Sequence, residues 1–402
     1  MAITFSQEPL LFSSASNPII YTFSSDQTGQ PNFSYKIELY IDTALFGTYE
    51  LYPMFDEFCK FDASEYVRSF LKTHMSLATG FICETSDQWN TIGLKVYESY
   101  GNPPALEDFA SAGNITCFNA ALRYDDFVNF NYSEYYLDPL LGMTPYWLTT
   151  YPLFDKQFTN YADPFHAGIL AKKSLTAYRM YLRIYDITGT VTFSYDDAIS
   201  IIERVCMLDI SPAQFDTNGW TAGTEWNSCY YYEVEIKATS SVAPFDYIIS
   251  WPYRLYLDQS CSRFKPQKLY WMNKFGVIEQ FEFRMYSEES TAITSYGYQV
   301  QPGEWVDGGQ YALKVSDSEK RNNMKTAEDR ITLNSDWMKP AVQNWLVREL
   351  YESPQVWLYL GGVYKPVILE NKESRQKSRF RDGLIQETVV ATITNSYRTQ
   401  LN

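Results

Sequence analysis

The chain has 402 residues, 45% apolar, 17% aromatic and 20% charged, with a formal net charge of -15. At roughly 100–200 residues per domain, that length predicts two or three domains, each large enough to bury its own core. The 34 Tyr, 25 Phe and 10 Trp exclude a solvated disordered polymer, and 48 Asp plus Glu against 33 Lys plus Arg argue against a protein whose task is to neutralise phosphates.

The opening, Met1-Ala2-Ile3-Thr4-Phe5-Ser6-Gln7-Glu8, has no cationic region followed by an apolar one, so no secretory signal is expected. No apolar run approaches the roughly 18 residues that a membrane-spanning helix needs. These features predict a chain made in a cytoplasm and not held in a membrane. Cys59, Cys83, Cys117, Cys206, Cys229 and Cys261 are scattered without a C-x-x-C pair. Buried free thiols are expected, not a disulfide framework or a zinc site.

In chain order, Tyr35, Ile37, Leu39 and Ile41 alternate with Lys36, Glu38, Tyr40 and Asp42, the pattern of a half-buried strand. Asp62-Ala63-Ser64-Glu65 has capping-box spacing and is followed by Val67, Phe70 and Leu71, which predicts a short helix over 63–72. The stretch from 101 to 180 is rich in Tyr, Asn, Asp and Pro and shows little alternation, which suggests an insertion or arm. Strand patterning returns at Tyr232, Val234 and Ile236, at Tyr253, Leu255 and Leu257, and at Phe281, Phe283 and Met285. Asn334-Ser335-Asp336 offers helix caps and Pro340 suits a first turn, while Val342, Trp345, Leu346 and Leu350 form one stripe, so a helix is predicted over 338–351. Val356–Leu360, Gly361-Gly362 and Val363–Leu369 read as a hairpin, and Val389, Ala391 and Ile393 as a final strand.

The expected fold class is mainly β, with antiparallel β-sandwich-like domains, a few short helices and long irregular loops. The expected division is an N-terminal sandwich at 1–115, an irregular Tyr/Asp/Pro-rich arm at 116–180, a second β domain at 181–325, and a helix with hairpin and final strand at 326–402. The last part could continue the second domain.

Catalytic signatures are missing. His74 and His166 are far apart with no E-x-x-H context, and no nucleophile elbow, P-loop or G-x-G-x-x-G follows a strand. The doublets Asp125-Asp126, Asp196-Asp197 and Glu288-Glu289 cannot be facing acid and base, because neighbours on a strand point to opposite sides. No enzyme activity, cofactor or metal site is expected. The concentrated basic run holds Arg375, Lys377, Arg379 and Arg381 at alternate positions, which share one face if the segment is extended. Such a run is either an exposed arm balanced by Glu370, Glu373 and Asp382, or an inter-subunit contact that docks on an acidic face of a neighbouring copy.

Taken in order, several motifs resemble virion structural proteins of crAss-like bacteriophages and related phages of Bacteroidetes hosts. They are Ser16-Asn17-Pro18-Ile19-Ile20-Tyr21-Thr22-Phe23, Phe33-Ser34-Tyr35-Lys36-Ile37-Glu38-Leu39-Tyr40 and Phe61-Asp62-Ala63-Ser64-Glu65-Tyr66-Val67. Lys268-Leu269-Tyr270-Trp271-Met272-Asn273-Lys274-Phe275-Gly276 follows, and then Trp345-Leu346, Leu350-Tyr351-Glu352-Ser353-Pro354-Gln355-Val356 and Lys365-Pro366-Val367. The resemblance covers about half the chain and rests on packing and turn signatures. It implies a non-enzymatic subunit of the tail, or of the neck between portal and tail, assembled as a homomeric ring. Other copies of the chain, the portal and other tail or ring proteins would be its partners, and the virion its location after assembly in the host cytoplasm. No sequence-specific nucleic-acid binding is implied; an acidic channel lining would let DNA pass without sticking. The alternative reading is a carbohydrate-binding or receptor-binding β protein of a phage or bacterium, since Trp and Tyr are the rings that stack on sugars.

Overall fold

The computed structural model describes the chain from 3 to 401 apart from 55–56, 73–74, 76–79, 84, 139–143, 153–154, 172–176, 202–203, 240–246, 260–262, 316–318, 371–384 and 395–397. The protein is mainly β, with short helices, as its alternating sequence predicts. It divides into two compact units, Met1–Ser260 with Met272–Gln280, and Cys261–Trp271 with Phe281–Asn402. The divisions expected from the sequence lie near 115, 180 and 325.

The first unit begins with a sandwich. Strands Ile3–Gln7, Ile20–Ser25 and Phe58–Asp62 form one sheet; Phe12–Ser14, Ile115–Phe118, Trp89–Tyr100, Ser34–Ile41, Ala44–Leu51 and Ala105–Ser111 form the other. Tyr21 and Phe23 from the first sheet share a core with Tyr35, Ile37, Leu39, Leu94 and Val96 from the second. The alternation at 35–41 therefore does what its period requires, turning every second side chain inward. The helix after this sheet is shorter than expected, Ser64–Arg68, and Asp62 does not close a capping box. Its Oδ1 instead accepts from the amides of Ser64 and Ile19, each at 3.0 Å, and so joins the helix start to the preceding sheet.

A second sandwich follows in the same unit. Tyr136–Leu137, His166–Ala171, Val205–Asp209 and Ile82–Cys83 form a four-stranded sheet. Phe158–Thr159, Tyr253–Leu257, Tyr231–Thr239, Ala177–Tyr185, Val191–Ile199 and Tyr247–Ile249 form a six-stranded one. Met180, Leu182, Val234 and Ile236 of one pack with Ala167, Ile169 and Leu208 of the other. The expected arm at 116–180 is thus largely built into this unit, and Phe130, Tyr132 and Tyr135 pack on a core containing Phe12, Phe118 and Phe275. The segment is hard to read because every residue of His166–Ala171 is buried, so the strand is written as a continuous run without alternation. Glycine is required at two positions. A Cβ on Gly168 would lie 2.6 Å from Cγ1 of Val277, and Gly276, at φ +75°, would drive one into the Asn119 carbonyl.

The second unit is organised on an extended sheet. Its strands follow the order Gln267–Met272, Val356–Leu360, Val363–Leu369, Thr388–Ile393, Lys320–Asn334 and Glu288–Gln299, with Arg398–Leu401 paired to Lys320–Asn334. The helix Pro340–Glu352 buries Val342, Trp345, Leu346 and Leu350, the stripe expected from spacing. Trp345 sits 5.3 Å from Trp271, centroid to centroid. Lys339 is the N-cap, without a side-chain bond, and Pro340 opens the first turn. The expected caps act elsewhere: the Asn334 side chain accepts from the Thr388 hydroxyl, and Ser335 Oγ accepts from the Glu387 amide. Gly361 and Gly362 turn the hairpin at φ +63° and +82°, values that favour glycine.

Candidate assembly surface

The expected contact residues Arg375, Lys377, Arg379 and Arg381 lie outside the described residues. Within the described residues, a long and largely exposed feature is the hairpin made by Glu288–Gln299 and Lys320–Asn334. Its register runs antiparallel from Glu288 opposite Thr332 to Gln299 opposite Lys320, with a slip between Tyr296 and Gly297. At about 3.4 Å per residue the ribbon is roughly 40 Å long. Beyond it, Glu304–Val306 and Gln310–Ala312 form a smaller hairpin, turned by Gly308 and Gly309 at positive φ, in which Trp305 meets Tyr311 edge-on at 5.2 Å.

This ribbon has the residues of a strand and lacks a core. Eleven of the twelve side chains of Glu288–Gln299 are exposed and one is intermediate. Burial on the partner strand comes at its base, where Ile331 and Leu333 join the sheet. Ile293 is 68% exposed, Trp305 75% and Leu313 70%, and Tyr296 and Tyr298 stand on one face of their strand. Ile293 stands on the opposite face, so both faces of the ribbon expose apolar side chains, and exposed apolar surface can serve as an interaction surface. Glu288–Gln299 is also the last strand in the sheet order, so its outer row of amides and carbonyls is an open edge of the kind on which another strand can add. Apart from the Glu288-Glu289 doublet, nothing in the sequence marks these residues. Thr, Ser and Tyr give them strand propensity, but with no apolar partner face there is no period-two hydrophobic signal.

Elsewhere among the described residues, several titratable groups singled out by the sequence are buried or paired. Cys83 Sγ lies 3.4 Å from His166 Nδ1, with both residues buried, and burial together with Asp209 pushes the thiol well above its usual value. Burial raises Cys59 and Cys117 too, and Cys229 to about 12, so these thiols stay protonated. Asp126 pairs with Lys274 at 2.9 Å, and Asp196 with Arg179 at 2.6 Å. Among the described residues there is no group of three or more His, Cys, Asp or Glu that could hold a metal ion, and no helix is long and apolar enough to cross a membrane.

No known protein family and no curated protein matches the chain. Among solved structures it is similar to the extracellular region of plexin A4, domains 1 to 10, at 10% identity and a TM-score of 0.18 over 64% of this chain and 21% of that one. A second plexin A4 structure, domains 1 to 8, gives 8% identity and a TM-score of 0.18 over 99% of this chain and 46% of that one. The chain thus spans less than half the length of either, and a likeness this low carries no argument about fold or function.

Proposed function

We propose that this chain is a non-enzymatic structural subunit of a bacteriophage tail or portal–tail neck, assembled through contacts between identical copies into a ring on the DNA-ejection path. The observation that carries the assembly part is the 288–334 hairpin, whose exposed apolar side chains and open strand edge have no cover among the described residues. A subunit in a closed ring presents two different surfaces to its neighbours, and a projecting ribbon that reaches onto the next copy is one way to supply a heterologous contact. The phage assignment is supported by the ordered sequence motifs. The net charge of -15 suits a conduit through which DNA passes without adhering.

Negative-stain imaging of the purified protein tests the reading. Closed rings of one copy number support it; a monomer that stays monomeric when mixed with the other tail proteins of the same phage refutes it.

A further inference from the structure

The second sandwich of the first unit carries a cleft of about 250 Å³ on one side, assembled from two segments a hundred residues apart in sequence. Tyr146, Trp147, Thr149, Asp155, Lys156 and Gln157 supply one wall; Trp251, Tyr253, Arg254 and Tyr256 supply the other. Trp251 is 46% exposed, yet it is firmly placed. Its amide donates to the Pro145 carbonyl at 2.9 Å, its carbonyl accepts from Trp147 Nε1 at 2.7 Å, and its ring stacks on Tyr146 at 5.5 Å and 3°. A half-open aromatic plane fixed in this way is pre-placed to receive a flat apolar partner on its free face.

The charged groups of the cleft are two cations, Lys156 and Arg254, and one carboxylate, Asp155. Lys156 Nζ donates to the Tyr230 hydroxyl at 2.7 Å and lies 4.8 Å from the Tyr256 ring centre, which leaves further N–H bonds to offer. Arg254 is held against Glu233 at 2.6 Å and over the Tyr231 ring at 4.8 Å. Gln157 is 7% exposed; its Oε1 accepts from the Tyr253 hydroxyl at 3.0 Å, while its buried Nε2 has no hydrogen-bond partner. An unmet buried donor in a cleft wall is costly, and a ligand oxygen placed there recovers the loss.

From this arrangement we infer that the cleft binds a carboxylate-bearing pyranose, a uronic or sialic acid unit of a glycan. The axial C–H face of such a ring presents positive hydrogens to the negative face of an aromatic plane, which Trp251 offers. Gln157 Nε2 donates to one sugar hydroxyl, Thr149 Oγ1, whose own proton goes to Glu279, accepts from another, and the carboxylate meets Lys156 and Arg254, the two cations among the lining residues. The volume lies just below the range of about 300–1,000 Å³ typical of drug-sized ligands, so it suits one or two sugar rings. The inference stands on the cleft alone and does not depend on ring assembly.

Saturation-transfer NMR on the intact chain tests it, with trigalacturonate and sialyllactose as the two acidic probes and maltotriose as the neutral one. Transfer to either acidic sugar, and to maltotriose only at roughly tenfold higher concentration, is expected, since charge-assisted bonds separate the two classes; which acidic probe responds identifies the source. Trp251→Ala is expected to abolish transfer. Lys156→Gln, at an exposed side chain, keeps the fold and is expected to weaken binding about three- to tenfold. Absence of transfer to both acidic sugars from the wild-type chain overturns the inference. So does equal binding of maltotriose, binding untouched by Lys156→Gln, or equal displacement by a glutamate-rich peptide.

Discussion

Two antiparallel strand pairs in this molecule have similar backbone pairing and opposite surroundings. Ala177–Tyr185 pairs with Tyr231–Thr239 over nine residues and turns Tyr178, Met180, Leu182 and Ile184 into a core beside Tyr232, Val234, Ile236 and Ala238. Glu288–Gln299 pairs with Lys320–Asn334 over an even longer register and has no buried side chain of its own. The difference teaches that ladder hydrogen bonds shape a ribbon while burial stabilises it. An isolated two-stranded hairpin is marginal in water, so the second pair is a surface awaiting cover.

The contrast can be broken most severely in the core. Leu182→Ala removes a fully buried side chain and is expected to cost about 2–5 kcal/mol, read as a lower denaturation midpoint at unchanged slope; a loss below about 1 kcal/mol would mean that the sandwich is looser than described. Gly168→Ala comes next, since its Cβ must displace Val277 from 2.6 Å, at a cost of about 1–3 kcal/mol in the same titration.

A smaller effect depends on pH. Glu98 is 1% exposed, and burial raises its carboxyl above the usual range although the Ser25 hydroxyl, donating at 2.5 Å, opposes this. The folded state therefore holds the proton more tightly than the unfolded one. Stability from this group is full below the unfolded carboxyl pKa and is lost as pH rises through the folded value. Glu98→Gln is expected to melt above the wild type at pH 7 and level with it near pH 4; the reverse order at pH 7 would contradict the burial argument. Smallest of all is Ile293→Ala on the ribbon, expected to shift monomer stability by no more than about 0.5 kcal/mol. A core-sized loss there would show that the ribbon is internally packed.

How much of this was legible in sequence follows from the same contrast. The stripe of Val342, Trp345, Leu346 and Leu350 and the Gly361-Gly362 turn were readable because their period and their positive φ are local properties. Asp62 was misread as a helix cap because its second partner, the Ile19 amide, lies 43 residues away. His166–Ala171 was illegible for want of an exposed face, and the 288–299 strand for want of a buried one. The cleft was invisible because Trp251 and Tyr146 meet only through the fold.

The central claim is that the hairpin joins copies of this chain. Light scattering of the wild type beside the triple variant Ile293→Glu, Tyr296→Glu, Trp305→Glu tests it most directly. The account predicts a closed oligomer for the wild type and a folded monomer for the variant, with equal circular dichroism spectra. An oligomer of the same mass in both would contradict it.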